Sequence, residues 1–388
     1  MREEANLKNI KVGYFTQSVA VSETFISDLI LGLSEIFSIE TYTNSELGKN
    51  LGIKYTKISI DYYPNWFVNK LFLLAGGRLR LLFKKKFAYY NLDKKLKNKY
   101  LDVAFIEYGT TSVLIQDFLV SRKIPFIVHF HGFDITSSLN DFYYRTELKK
   151  VFAVAIYVIA ASNHIKRLLI LQGCPSSKIK VIKLGIDAAI YEPLPWDQRF
   201  KLNPSIAFLG RLTPKKNPIA LLHAFKLVVD KLPNTTLSII GDGPLRKEVE
   251  LTINSLGLAK STTLYGALSR DKSLPILNRH WIYAQHSVTS YQGDQEGFAI
   301  SIAEAAALNI PVVSTLHNGI PENVIDGETG FLVKEYDYEE MANKIILLLE
   351  DVELIKRFGE AGRTNVIKEL NPLRRIKAIS NLLSEIKN

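Results

Sequence analysis

Short runs of consecutive apolar, β-branched residues alternate along the chain with longer stretches in which apolar positions recur every three to four residues. The first half gives NIKVGYF, DVAFIEY, PFIVHFH, AVAIYVIAAS and IKVIKLG as strand-like runs, with ETFISDLILGLSEIF as a helix after the first. Runs this uniformly apolar suit strands buried on both faces, and the alternation predicts parallel sheets with crossover helices. The run VFAVAIYVIAAS, residues 151–162, reads as buried strand, since twelve residues cannot span a bilayer. At residues 191–205, YEPLPWDQRFKLNPS, the pattern gives way to Pro-rich polar sequence and predicts a linker. It then restarts with SIAFLG, PIALLHAFKLVVDKL, TTLSIIGDG, LRKEVELTINSLGL, TTLYG, WIYAQHS, IPVVST and TGFLV. The prediction is an α/β chain of two Rossmann-like αβα domains facing each other across a cleft. Their expected spans are 1–196 and 197–370, with 371–388 a closing helix that packs back on the first domain.

At 388 residues the chain is too long for one ordinary core, which agrees with two domains. A hydrophobic content of 47% with 23% charged residues describes a globular protein rather than a disordered one. The single cysteine, Cys174, excludes an internal disulfide framework and fits a reducing compartment. The opening MREEANLKNIKVGYF is charged and has no apolar segment of the secretory kind. A cytoplasmic protein that is not integral to a membrane is therefore expected.

The net charge of +10 is unevenly spread: residues 70–99 hold ten Lys or Arg against one acid, Asp93. Trp66, Phe67, Phe72, Phe83, Phe87, Tyr89 and Tyr90 interleave with them. Three readings compete. A solvated helical face and a basic amphipathic surface for anionic lipid stand level. A nucleic-acid surface stands below both, because no binding module accompanies the charge.

Ligands of open parallel sheets bind outside the carboxyl ends of the strands, so the loops there are where chemistry is expected. SIAFLGRLTPKKNP ends a strand and carries Gly210, Arg211 and Lys216. Two fixed cations there suit a diphosphate, although either alone could be a solvated basic loop. In LSIIGDGPLRKEV, Gly241 opens a tight turn that lets backbone approach a ligand. The first βα loop, FTQSVAVSETF, has no glycine, which tells against a nicotinamide dehydrogenase. FIVHFHGFDIT closes another strand with His131 before a glycine and Asp134 three residues on. No Asp-x-Asp occurs, and His and Cys lack the spacing of metal ligands, so a metal-independent reaction without cofactor is expected.

Within QEGFAISIAEAAALNIPVVST two acids, Glu296 and Glu304, interrupt an apolar, helix-prone run. Burying a carboxylate there is costly unless something pairs with it. A helix beginning near Phe298 would turn its N-terminal amides toward an anion. Glu296 could then reach a neutral polyol beside the phosphates, and Glu304 could accept two hydrogen bonds from a ribose diol. The plainer alternative is a capping acid and a buried helix acid, each with a partner inside the protein.

Taken in order, HFHGFD, LGIDAAIYEP, GRLTPKK, GDGPLR, LYGALSR, the E-x7-E pair and GIPENVIDGETGFLV resemble the retaining nucleotide-sugar glycosyltransferases of family 4, which have the two-Rossmann-domain GT-B fold. The resemblance covers nearly the whole chain. It implies that Glu296 contacts the transferred sugar, Glu304 the ribose, Arg211 and Lys216 the diphosphate, and the backbone of Gly266, Ala267 and Leu268 the base. Gly210, Gly241, Gly297, Phe298, Ala299 and Ile300 complete the implied donor site. His131 would line the sugar site, joining Glu296, Arg211 and Lys216 as the implied catalytic set. Ser22, Glu23, Thr24 and Asp134 would stand on the acceptor side.

Two departures stand out. Val21-Ser22-Glu23 occupies the position where many relatives carry Gly-Gly, and the SETFI form resembles the subgroup that builds bacterial exopolysaccharides, such as colanic-acid-type transferases. In HWIYAQHS, His280 and His286 have no family role. The resemblance implies hexose transfer from a nucleoside diphosphate sugar to a lipid-linked saccharide acceptor, peripherally at the inner face of the cell membrane. A nucleotide-sugar epimerase of similar fold and a non-catalytic nucleotide-sugar-binding subunit are the competing readings.

Overall fold

The computed structural model describes residues 7–17, 24–44, 53–58, 60 and 77–387. Ser22, Glu23 and residues 61–76 of the basic aromatic stretch lie outside the described residues, as does the side chain of Thr24. The chain divides into two compact units, Met1–Gly185 with Pro372–Asn388, and Ile186–Asn371.

The first unit is built on seven parallel strands. They are β1 (Lys11–Thr16), β2 (Ser38–Thr43), β3 (Tyr55–Lys57), β4 (Val103–Glu107), β5 (Phe126–Phe130), β6 (Tyr157–Ala160) and β7 (Ile179–Val181). Their order is β3-β2-β1-β4-β5-β6-β7, so the direction of winding reverses between β1 and β4. Both central strands are buried along nearly their whole length, as continuous apolar runs predict. Among the described residues, five α-helices connect the strands: α1 (Thr24–Ile36), α2 (Gly77–Leu96), α3 (Gly109–Ser121), α4 (Phe142–Val154) and α5 (Asn163–Leu171). The chain's last helix, Pro372–Lys387, belongs to this unit and packs against α1.

One sequence-based strand is split. Residues 151–154 end α4 instead, whose buried residues Tyr144, Leu148, Val151 and Phe152 keep helical spacing, and β6 starts only at Tyr157. A short apolar run is compatible with either state, and the upstream periodicity decides it.

α2 buries only a narrow stripe, Lys85, Ala88, Leu92 and Leu96. Lys85 is held by Asp117 of α3 at 2.9 Å and by Glu147 of α4, so one cation of the basic run is used up inside the unit. Leu79, Leu82, Phe83 and Tyr90 are exposed on the same helix.

The second unit has six parallel strands: β8 (Ser205–Leu209), β9 (Thr236–Ile240), β10 (Thr262–Gly266), β11 (Ile282–Gln285), β12 (Val312–Thr315) and β13 (Gly330–Val333). Their order is β10-β9-β8-β11-β12-β13, with the reversal between β8 and β11. The helices are α6 (Pro218–Lys231), α7 (Arg246–Ser255), α8 (Arg270–Leu277), α9 (Ile300–Ala307), α10 (Tyr338–Glu350) and α11 (Val352–Glu369). One buried core runs through Ile206, Phe208, Phe225, Ile239, Ile282, Val313 and Ile345. Each such side chain contributes about 1.5–3 kcal/mol on burial.

The Pro-rich segment is packed into this unit. Tyr191 is fully buried, Leu194 N–H donates to Asn278 Oδ1 at 2.9 Å, and Ile186 N–H donates to Leu370 O at 2.9 Å. The boundary between the units accordingly falls after Gly185, where the sequence alone suggested a join near residue 197.

Candidate functional site

In each unit the polar residues collect where the winding of the sheet reverses, which is where such sheets leave a crevice. In the second unit the loop after β8 carries Arg211, Lys215 and Lys216, and the loop after β11 carries Asp294, Gln295 and Glu296. Lys216 Nζ lies 2.8 Å from Glu296 Oε2 and donates to Gln285 Oε1 at 3.2 Å. Lys215 Nζ stands 3.2 Å from Asp294 Oδ2, and Lys215 O accepts from Val288 N–H at 2.8 Å. The two loops are thus joined by two ion pairs and a backbone hydrogen bond.

Glu296 is almost completely buried. Burial alone would raise its pKa, but the charges of Lys216 and then Lys215, with the Lys216 hydrogen bond, hold it at about 2. The carboxylate stays ionised, and its pairing answers the cost of burying it. A further device fixes the backbone here. Glu296 N–H donates to His317 Nε2 at 3.1 Å, and His317 Nδ1 faces Glu335 Oε1 at 2.6 Å. This network puts the proton of His317 on Nδ1.

The strand ends on the other side are stitched by close backbone approach. Gly241 N–H donates to Gly266 O at 2.8 Å, and Leu212 N–H donates to Asp242 O at 3.0 Å. A Cβ on Gly241 would stand 1.9 Å from Gly210 O, so only glycine lets the two loops meet. Ala267 and Leu268 follow directly after β10. Arg211 is exposed and has no ion-pair partner among the described residues.

The helix expected near Phe298 begins at Ile300. Gly297, Phe298 and Ala299 form a turn instead, in which Ala299 takes a left-handed φ of 60°. That conformation costs about 1–2 kcal/mol for alanine. It is held in place by Asn323, which donates to Phe298 O, and by Gly319, where a Cβ would stand 2.0 Å from Gly297 O. No side chain caps the first turn of α9. Of its first amides, Ile302 N–H donates to Ala299 O at 3.1 Å.

Glu304, in the second turn of α9, does not meet Lys216. Its Oε1 accepts from Tyr191 O–H at 3.0 Å and lies 3.4 Å from Arg270 Nε, and Arg270 also donates to the Tyr191 oxygen. Both glutamates therefore have partners inside the second unit. Tyr191, Arg270, Gln285 and His317 were not singled out from sequence. Tyr191 and Arg270 lie in the segments LGIDAAIYEP and LYGALSR, but neither segment says that they converge. His280 is a core residue whose Nδ1 meets Ile276 O at 2.9 Å. His286 is buried and, with no hydrogen-bond partner among the described residues, is pushed down by burial to a pKa of about 4.

In the first unit the winding reverses between Tyr14 on β1 and Glu107 at the end of β4. Glu107 is wholly buried and stands in register with His129 on β5. Tyr14 O–H donates to Glu107 Oε1, while Glu107 Oε2 lies 2.5 Å from His131 Nε2 and 3.3 Å from His129 Nδ1. Burial would raise the Glu107 pKa, but the two imidazoles hold it well below the usual carboxylate range. Burial, then the neighbouring His131, push His129 down to about 3, so this ring is neutral. Glu107, His129 and His131 bring ligand-type atoms together as a metal centre would. The direct 2.5 Å contact leaves no room for an ion between His131 and Glu107, and the buried guanidinium of Arg375 adds positive charge beside Glu107.

Asp134 is also fully buried, and it accepts backbone N–H bonds from Gly109 at 2.9 Å, Gly132 at 2.9 Å and His131 at 3.2 Å. It shapes the loop that carries His131. A cavity of about 390 Å³ opens in this unit, bordered by Gln17, Arg80, Lys84, Thr110, Phe133 and Tyr144 among others. No described helix is long and apolar enough to cross a membrane.

Two such domains with ligand-type residues at their reversal points define a GT-B glycosyltransferase architecture. The family profile "Glycosyl transferases group 1" matches residues 195–365, and "Glycosyltransferase Family 4" matches residues 69–190. The putative colanic acid biosynthesis glycosyltransferase WcaL of Escherichia coli is 30% identical over 239 residues, 61% of this chain and 58% of that protein. The amylovoran biosynthesis glycosyltransferase AmsK of Erwinia amylovora is 26% identical over 296 residues, 74% of this chain and 70% of AmsK. The crystal structure of Anabaena Alr3699/HepE in complex with UDP and glucose shares the fold, with a TM-score of 0.78 at 20% identity, covering 97% of this chain and 100% of that one. Sucrose-phosphate synthase from Thermosynechococcus elongatus shares it too, with a TM-score of 0.79 at 16% identity, covering 97% and 99%. The chain thus carries a group 1 glycosyltransferase domain and a family 4 glycosyltransferase domain, and it is similar to glycosyltransferases of exopolysaccharide synthesis, spanning less than two thirds of the length of WcaL.

Proposed function

We propose that the protein transfers a hexose from a nucleoside diphosphate sugar to a lipid-linked saccharide acceptor, with retention at the anomeric carbon and without a metal ion, in cell-surface polysaccharide synthesis. The observation that carries this reading is the Lys216–Glu296 pair at the reversal point of the second unit's sheet, beside the uncapped start of α9. On this reading Arg211 and Lys216 stabilise the charge that develops on the departing diphosphate. Glu296 holds the sugar, Glu304 the ribose, and a phosphate oxygen of the donor takes the acceptor's proton. HepE, whose crystal structures hold UDP, UDP with glucose, or UDP-glucose, supports a nucleotide-sugar donor of this kind. In a thermal-shift screen of UDP, GDP and ADP with their common sugars, one nucleotide series should raise the melting temperature of the protein. The anomeric coupling in the product's proton NMR spectrum should match that of the donor. Interconversion of donor sugars without acceptor would instead make the protein an epimerase, and binding without turnover would make it a carrier of the nucleotide sugar.

The acceptor side rests on the first unit. The cavity bordered by Arg80 and Lys84 offers two cations and an apolar wall, which suit a phosphate-bearing amphiphile. α2 shows Leu79, Leu82, Phe83 and Tyr90 to solvent among its basic residues, which suits an anionic bilayer surface. Full-length protein should therefore bind vesicles containing an anionic lipid and lose them as salt rises. Equal binding to neutral and anionic vesicles would leave α2 a solvated face.

A further inference from the structure

Glu296 is held from a direction that its pairing with Lys216 does not account for. Its backbone N–H donates to Nε2 of the wholly buried His317, and Asn318 Nδ2 lies 2.8 Å from the same nitrogen. Two donors face Nε2, so that nitrogen carries its lone pair. Across the ring, Nδ1 faces Glu335 Oε1 at 2.6 Å, and the second oxygen of that carboxylate accepts from Thr289 N–H at 2.9 Å. Tyr336, next to Glu335, donates its hydroxyl to Thr289 O at 3.1 Å. The loop 289–296, which follows β11, is thus gripped at its first residue by Glu335 and at its last by His317. The two gripping groups also hold each other, and all of them belong to the second unit. A histidine that only fills the core needs partners for its two nitrogens. Here those partners lead to the two ends of the loop that carries Glu296.

We infer that His317 and Glu335 are positioning residues for the transfer reaction: together they clip both ends of the 289–296 loop and so fix the carboxylate of Glu296 beside Lys216. This rests on the reading that Glu296 holds the transferred sugar. The ring works as a strut with unlike ends. Nδ1–H donates to a carboxylate, which only accepts, and Nε2 accepts from a peptide N–H, which only donates. The loop 317–319 also backs the next residue, since a Cβ on Gly319 would stand 2.0 Å from Gly297 O. Without the clip, Glu296 would still be drawn to Lys216 by charge, but its backbone would no longer be fixed. A displacement of about 1 Å at a reacting centre can cost about a hundredfold in rate.

Substitution can separate the two nitrogens. His317→Asn keeps a donor near the position of Nδ1, within reach of Glu335, and has nothing at the position of Nε2. His317→Gln places an amide oxygen near the position of Nε2, able to accept from Glu296 N–H. With the donor chosen by the thermal screen, His317→Asn should lower kcat about tenfold or more, while the bare nucleoside diphosphate binds as before. His317→Gln should recover most of that rate. Hydrogen–deuterium exchange of the full-length protein reads the clip without reference to activity. The peptide holding residues 289–297 should exchange faster in His317→Asn and close to the wild-type rate in His317→Gln. Glu335→Gln leaves one carbonyl oxygen for two donors and should loosen the same peptide. Equal kcat in the two His317 variants, both normal or both low, would make His317 a space-filling residue and overturn the proposal. Unchanged exchange in His317→Asn would overturn the clip itself. Faster exchange with unimpaired transfer would show that Glu296 need not be fixed, and the proposal would then fall with the sugar-holding reading of Glu296.

Discussion

Lys216→Ala is expected to lower the rate of transfer about 10²–10³-fold, the usual loss on removing one fixed group that stabilises charge in a transition state. Activity of the wild type should survive EDTA if, as proposed, Arg211 and Lys216 supply the positive charge at the diphosphate. Strict dependence on added Mg²⁺ or Mn²⁺ would overturn this part. The same substitution should leave a trace in stability. Glu296 is held at a pKa of about 2, below its usual 4.5, so it contributes stability that is present above about pH 4.5 and lost as pH falls toward 2. The shift corresponds to roughly 3 kcal/mol. Without Lys216, burial dominates and pushes the carboxyl up, so the acid transition should move to higher pH. Lys216→Met, which keeps the apolar stem, should show the same acid shift with less loss of packing. Melting temperatures by circular dichroism from pH 2 to 7 would measure it. If the acid transition does not move, Lys216 is not the counter-charge that keeps Glu296 ionised.

The parts of this arrangement that the sequence reveals are those in which one strand or one loop is enough. Strands buried on both faces read as unbroken apolar runs, so the second sheet and five strands of the first were legible, whereas the partly exposed β2 and β3 were not. Cations at the end of SIAFLG and acids after WIYAQHS stood out for the same local reason. Pairings across the sheet were not legible. Tyr191 meets Glu304 across 113 residues, and its segment reads as linker because prolines flank it, although it packs into the core of the second unit. Glu107 looks like the last residue of an apolar strand, and its role appears only when β4 is set beside β5 and His131 falls within reach. A lone acid closing a buried strand next to a His-x-His strand end was the available signal. The start of α9 was displaced by two residues because nothing in alanine's own preferences announces a left-handed residue at 299. That conformation is imposed by Gly319 and Asn323 from the following loop.

Glu296→Gln and Glu304→Gln are expected to fail in different ways. Glu296 pairs with Lys216 beside the proposed sugar position, so its amide should cut turnover while the nucleoside diphosphate alone binds nearly normally. Glu304 stands apart, against Tyr191 and Arg270, and its amide should weaken the nucleotide itself. A ribose diol prefers a carboxylate that accepts both of its hydrogen bonds. Losing one charge-assisted bond would cost roughly 1.5–3 kcal/mol, or about tenfold to over a hundredfold in affinity. The ion pair with Arg270 offers a second route to the same loss, because an amide would release the guanidinium. A 2′,3′-dideoxy nucleotide separates the two. If Glu304 holds the diol, wild type and Glu304→Gln should bind the dideoxy compound equally, since the bond in question is missing from both complexes. If the defect persists with the dideoxy compound, Glu304 acts by holding Arg270 and Tyr191 in place. Calorimetric affinities for the natural and dideoxy nucleotides, set beside turnover, decide the matter. A loss of nucleotide affinity in Glu296→Gln as large as that in Glu304→Gln would end the division of labour between the two acids.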